Sequence, residues 1–130
     1  MKKILIAITV VSLTGCASIK EMIPSFSDPN QSAKIIDVRQ SVEQLDCKQP
    51  HAPQVKRIKD NLEWFELYSG SKGWRQNDVL KLVKPMQETV DDFYKRSTGE
   101  KQGSDAYCEI KKKVMKVQAE KAATAILGRF

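Results

Sequence analysis

Few residues in this chain could carry catalysis. It has one histidine, His51, and one adjacent acidic pair, Asp91-Asp92, whereas nucleophilic, acid–base and metal catalysis each need several such groups to converge. Pro50 and Pro53 flank His51 closely, which predicts a solvated loop there. Neighbouring residues of a helix point about 100° apart, so Asp91 and Asp92 are not expected to converge. We therefore expect no enzymatic activity, no metal, no cofactor and no small-molecule substrate.

The first 15 residues have the three-part composition of a secretory signal. Lys2 and Lys3 provide a positive start, residues 4–13 are almost wholly apolar, and small residues precede Cys16. This order is typical of an export signal that is removed from the mature protein. The apolar run is also shorter than the roughly 20 residues that a spanning helix needs. The sequence therefore predicts a signal peptide over residues 1–15.

Leu13, Gly15 and Cys16 resemble the bacterial lipobox. The resemblance implies cleavage before Cys16 and covalent lipid on its thiol and new amino group. Two or more acyl chains anchor a protein stably where one does not. In this class of lipoprotein an Asp after the cysteine favours retention in the inner membrane, so Ala17 implies the inner leaflet of the outer membrane, facing the periplasm. The alternative is a secreted protein with an unmodified Cys16.

The remaining two cysteines, Cys47 and Cys108, permit only one pairing. An exported protein meets an oxidising compartment, where a disulfide is the default. Neither cysteine belongs to a CxxC motif, so a structural disulfide is favoured over a redox or metal pair. It would close a loop of about 60 residues, worth roughly 4 kcal/mol in the chain-entropy model.

The net charge of the mature chain, without the signal peptide, excludes few classes of partner. The mature chain would have 115 residues, with 20 basic residues against 16 acidic ones, a net charge of +4. That length is enough for one domain. The densest basic feature, residues 111–113 with Lys116 and Lys121, spans most of a helical turn, so a solvated face is favoured over a lipid or acidic contact. The exported location argues against nucleic acid as a partner.

The mature chain reads as a lipidated tether over residues 16–29 and a helical periplasmic domain over 30–130. Apolar residues recur every three or four positions in segments of about 31–46, 54–68, 77–95 and 104–128, with Asn30 and Ser104 as expected N-caps. Pro85 is expected to kink or divide the third segment. The fold class is thus all-α, a small bundle of three to four helices stapled by one disulfide.

Within the segments, the spacing also predicts which faces are buried. Helix-period positions are the following: Ile35, Val38, Val42 and Leu45; Val55, Ile58, Leu62 and Phe65, widened by Trp64 and Leu67; Val79, Leu82, Val83, Met86, Val90 and Phe93; and Tyr107, Ile110, Val114 and Val117, extended by Ala122, Ala125 and Ile126. Trp74 and Arg75, after a Gly/Ser loop, and Leu127 and Phe130, at the C-terminus, are candidate partner contacts or alternatively parts of the core.

Beyond the lipobox, the chain resembles the outer-membrane lipoprotein subunit of spanin complexes of T-even-like tailed phages. The residues that carry this resemblance are 31–47, 71–85, Tyr107 to Lys113 and Leu127 to Phe130. It implies an inner-membrane coiled-coil protein as partner and disruption of the host outer membrane in phage lysis as function. The known outer subunits are short and proline-rich, whereas this chain has five prolines and a helical pattern. The alternative is a cellular envelope lipoprotein that serves as an assembly factor, a pilotin or a structural module.

Overall fold

A computed structural model describes residues 27–129 of the chain. The predicted signal peptide, the lipidation at Cys16 and the candidate contact Phe130 lie outside these residues. The described part contains helices α1 (Pro29–Glu43), α2 (His51–Ser71), α3 (Asn77–Ser97) and α4 (Asp105–Leu127), with a short 3-10 helix, Trp74–Gln76, before α3. It contains no strand. The all-α prediction is confirmed, with four helices.

Helix α1 begins two residues earlier than predicted. Asp28, not Asn30, is the N-cap, and its side chain accepts hydrogen bonds from the backbone N–H groups of Asn30 (2.8 Å) and Gln31 (3.2 Å). Pro29 occupies the first helical position, where its missing N–H costs nothing. Asp28 and Pro29, assigned to the tether from the sequence, therefore belong to the folded domain. The predicted N-cap of α4, Ser104, is confirmed by its bond to the N–H of Tyr107 (3.1 Å).

The four helices form an up-and-down bundle in which each packs on its neighbours: α1 on α2 and α4, and α3 on α2 and α4. Short connections make successive helices antiparallel. The core consists of one apolar stripe per helix, and the predicted stripes of α1, α2 and α3 are buried almost as expected. Its largest fully buried side chains include Phe65, Phe93, Ile35, Ile58 and Leu62. Burying such side chains is the main force that holds the bundle together.

Two expectations about α2 need correction, and one of the two alternatives for Pro85 in α3 is excluded. Trp64 and Leu67 do not widen the core stripe of α2, because both are exposed. Pro85 does not divide α3, which runs through it as one helix with Pro85 on the solvent side. A proline on the exposed face loses one backbone hydrogen bond without placing its ring in the core, so the helix can continue.

The Cys47–Cys108 disulfide is present, with the two Cα atoms 5.6 Å apart. It joins the α1–α2 connection to the first turn of α4, so we call this end of the bundle, with Cys47, His51 and Cys108, the disulfide end. None of the helices within residues 27–129 combines the length and the apolar composition that crossing a bilayer requires.

Candidate interaction surface

Helix α4 carries two apolar stripes, and the one that faces the core is not the one predicted. Its buried residues are Cys108, Met115, Ala119, Ala122, Ala123 and Ile126. Ile110, Val114 and Val117, predicted to be the inward seam, are exposed by 62, 41 and 67%. The prediction was wrong for these three residues, while it was right for Ala122 and Ile126. Tyr107 is half-buried and packs edge-on against Phe93, with ring centroids 5.7 Å apart.

The disulfide gives the physical reason for this orientation. Cys108 must face inward to reach Cys47, and each helical residue turns the side chain by about 100°. Met115, seven residues later, therefore returns to nearly the same direction as Cys108. Ile110, two residues later, points about 200° away, to the outside. Three of the buried residues of α4 are alanines, Ala119, Ala122 and Ala123. Their small side chains let α4 pack closely against its neighbours.

Polar contacts on both flanks of α4 stabilise the same orientation of the helix about its axis as the disulfide does. Towards α3, Lys111 Nζ binds Asp92 Oδ2 at 2.6 Å, and the Gln118 amide donates to Thr89 Oγ1 at 3.0 Å. Towards α1, Lys112 Nζ donates to the carbonyl of Leu45 at 2.6 Å. The hydrogen bond donated by Lys111 and accepted by Asp92 lowers the pKa of Asp92 and raises the pKa of Lys111. The outward direction of the second stripe is thus fixed from two sides.

We call Ile110, Val114 and Val117 the outer stripe. They are spaced by four and three residues, so they lie on one line along the helix over about 10 Å. Single exposed apolar residues are ordinary on protein surfaces. Three in line on one helix face are neighbours, so they form a candidate surface for contact with another molecule.

Two lysines border the outer stripe. Lys113 precedes Val114, and Lys121 follows Val117 by one turn. Among the described residues, neither has an ion pair, although Lys111 and Lys116 of the same cluster do, with Asp92 and Glu43. The basic cluster is therefore distributed over three sides of α4, as its spacing predicted. Lys113 and the exposed Glu120, seven residues apart, lie on one flank of the outer stripe, and Lys121 lies at its C-terminal end.

A group of charged residues meets at the opposite end of the bundle. The Lys72 ammonium binds the carboxylate of Asp28, and Arg129 Nη2 binds Asp78 Oδ2 at 2.8 Å. These contacts bring the start of α1, the end of α2, the start of α3 and the end of α4 together. We call this the tether end, because the chain enters the domain here at Asp28. Burial would raise the pKa of Asp28, but hydrogen bonds from Lys72 and the backbone hold it below its usual range.

The candidate contacts Trp74, Arg75 and Leu127 all lie at the tether end. Trp74 is 44% exposed and Leu127 is also exposed. The Arg75 guanidinium carbon lies 5.5 Å from the centroid of the Trp74 ring, a cation–π contact. Gly73 precedes them with a φ of 92°, a conformation that favours glycine and turns the chain out of α2.

The groups considered for catalysis do not converge. His51 is fully buried and begins α2, so the prediction of a solvated loop residue was wrong. Its Nε2 lies 2.9 Å from the Cys47 carbonyl, and its ring packs edge-on against Phe93. Asp91 binds Lys59 of α2 and Asp92 binds Lys111 of α4, on opposite flanks of α3. Residues 27–129 hold no group of three side chains suited to a metal ion.

The sequence contained a signal for the true orientation of α4. Once Cys108 is assigned to a disulfide it must face inward, and Met115, Ala119, Ala122 and Ile126 continue from it by seven, four, three and four residues. In the sequence, this series and the outer stripe are two alternative candidates for the core-facing side of α4. The outer stripe has larger side chains than the alanines of this series, but it does not include the cysteine. Comparison with protein-family models, with curated proteins and with solved structures finds no match to this chain.

Proposed function

We propose that the protein is a lipid-anchored interaction module that acts as the outer subunit of a spanin pair. In this proposal, lipid on Cys16 holds it in the inner leaflet of the outer membrane, facing the periplasm. The outer stripe of α4 binds a helix of an inner-membrane coiled-coil protein, and the pair disrupts the host outer membrane in lysis. The protein itself performs no catalysis.

The observation that supports the proposal is the outer stripe. Spacings of four and three residues are those with which one helix packs along another at a small crossing angle. A helical partner with apolar residues at the same spacing would cover Ile110, Val114 and Val117 together. A bundle whose own core is already complete has no structural need for these three residues, because another stripe of α4 fills the interior.

The lysines next to the outer stripe indicate which charges a partner helix should carry. Lys113, one position before Val114, would face a position that flanks the apolar seam of a partner helix, whereas Lys121 continues the line of the outer stripe one turn beyond Val117 and would face the end of that seam. Opposite charges at such positions set partner choice and orientation in helical pairs. We therefore propose acidic residues on the partner at these positions. A parallel pair of two copies would place Lys121 against its counterpart, which disfavours self-association in that orientation.

A lysis assay tests the proposal. The gene is deleted and restored as wild type, as Cys16→Ala, as Val117→Glu or as Leu67→Glu. The last is the matched control, since Leu67 is an exposed apolar residue on α2, outside the outer stripe. We expect deletion to leave spherical, unlysed cells, and we expect rescue by the wild type and Leu67→Glu but not by Cys16→Ala or Val117→Glu, at equal protein levels.

The other outcomes separate the parts of the proposal. If cells lyse normally without the gene, the spanin function is wrong, and the cellular envelope lipoprotein becomes the working hypothesis. If Val117→Glu rescues as well as Leu67→Glu does, the outer stripe is not the partner contact. If Cys16→Ala rescues fully, the lipid is not needed.

A further inference from the structure

The tether end combines an exposed aromatic residue with cationic side chains beside the point where the chain enters the domain. Trp74 is exposed there, and Lys72, Arg75 and Arg129 lie at the same end. Tryptophan is enriched where membrane meets water, because its ring is apolar while its N–H can bond to water or headgroups. Lysine and arginine are attracted to the phosphates of such a surface.

We propose that the tether end rests on the phospholipid surface, with Trp74 inserted among the headgroups as a second membrane contact beside the lipid. This inference rests on the proposed lipidation of Cys16. It goes beyond the proposed function because it fixes which end of the bundle faces the membrane and which residue touches it.

The length of chain between Cys16 and Asp28 favours the tether end over the disulfide end as the membrane-facing surface. About a dozen residues connect Cys16 to Asp28, and a chain of that length reaches at most about 40 Å when fully extended. Helix α2, with 21 residues, is about 32 Å long. The disulfide end can reach the bilayer only if the tether runs nearly its full extent along the bundle. The tether end needs no such extension, so anchoring gives it a high effective concentration at the surface.

The charged residues of the tether end are compatible with contact to anionic lipid but contribute little to its strength. Of the five charged groups named at this end, Lys72, Arg75 and Arg129 are positive, whereas Asp28 and Asp78 are negative and already bind Lys72 and Arg129. The net attraction to anionic lipid is therefore modest and is screened by salt. Trp74 and Leu127 are both exposed apolar residues at this end, and Trp74 has the larger apolar surface to bury among the headgroups.

The arrangement also orients the proposed partner contact. With the tether end on the bilayer, the disulfide end points away from it. Ile110 lies within two turns of the start of α4 at the disulfide end, so the outer stripe begins on the side remote from the membrane. A partner that approaches from the inner membrane would meet it there.

Two single-tryptophan variants test the inference. Trp64→Phe retains Trp74, and Trp74→Phe retains Trp64, which is 39% exposed and therefore a matched control on the side of α2. The mature lipidated full chain is reconstituted into vesicles of phosphatidylethanolamine and phosphatidylglycerol, with or without lipids brominated near the headgroup. We expect the bromolipids to reduce Trp74 fluorescence at least about twofold, and to leave Trp64 fluorescence, in its stack on Tyr68, almost unchanged.

Flotation and mass spectrometry separate the two ways in which the inference can fail. If Cys16 carries lipid and the protein floats with the vesicles, but Trp74 is quenched no more than Trp64, the tether end does not rest on the membrane and the anchor stands. If Cys16 carries no lipid and the protein does not float, the anchoring on which the inference depends is wrong, and both are overturned.

Discussion

The orientation of α4 can be tested by placing the same polar residue on each of its two apolar stripes. We compare Val117→Gln, on the outer stripe, with Met115→Gln, two residues earlier in the same helix. Val117 is 67% exposed, whereas Met115 is fully buried. Glutamine is a good helix former, so intrinsic helix propensity does not oppose either change.

The magnitudes follow from these exposures. Fully burying a valine side chain is worth about 1.5–3 kcal/mol, and folding removes only about a third of the Val117 surface from water, so Val117→Gln should cost less than about 1 kcal/mol. Met115→Gln loses the burial of the whole side chain and leaves an amide in the core without a partner. The two losses together should cost about 3–5 kcal/mol.

Urea unfolding of a soluble form that begins at Ala17, followed by far-UV circular dichroism, measures both values. We expect the free energy of unfolding to fall by several kilocalories per mole more for Met115→Gln than for Val117→Gln. The reasoning is refuted if Val117→Gln costs more than about 2 kcal/mol and Met115→Gln less than about 1 kcal/mol. That result would mean that Ile110, Val114 and Val117 face the core, as the sequence pattern alone suggested, and the outer stripe would not exist.

Three further predictions concern stability. Cys47→Ser with Cys108→Ser should lower the free energy of unfolding by about 4 kcal/mol in the chain-entropy model for a separation of 61 residues, and a reducing agent should lower the urea midpoint of the wild type but not of the double variant. Asp28→Ala should cost about 1–2 kcal/mol at pH 7 through the lost cap and the lost bond to Lys72. Because the folded pKa of Asp28 is depressed, the part of this contribution that depends on its charge is complete above the ordinary carboxyl pKa and is lost as pH falls through the folded value. The melting temperatures of variant and wild type should therefore differ most at pH 7 and approach each other as pH falls below about 4. Gly73→Ala should cost about 1 kcal/mol from backbone strain alone, since φ is 92° and no atom lies within 4 Å of an added Cβ; an unchanged melting temperature would contradict it.

Local patterns were sufficient for most of the fold. Apart from Trp64 and Leu67, the 3.6-residue period of α1, α2 and α3 placed their core residues correctly, because a stripe of large apolar side chains on an otherwise polar helix has only one face to bury. The cysteine count led to the right disulfide, because two cysteines have one possible pairing. The Ser104 cap was recognisable because its chemistry is local to one turn.

The candidate contact surfaces were only partly predictable. Trp74 and Arg75 follow a Gly/Ser loop, which indicated exposure, and Leu127 lies at the end of the last helix. Their position at one end of the bundle, beside Asp28, depends on the antiparallel course of all four helices. No local pattern contains that information, because the residues concerned are up to about 100 positions apart in the sequence.

The sequence by itself determined that the domain is helical, where the four helices lie to within about three residues at each end, and that Cys47 pairs with Cys108. Tertiary structure alone decided that His51 lies in the core, and the helical period of α4 did not decide which of its faces is buried. The reason is that α4 carries two apolar stripes at helical spacing, so its own period cannot choose between them. The choice is made by the disulfide, the contacts of Lys111 and Lys112, and the space that neighbouring helices leave for small alanines.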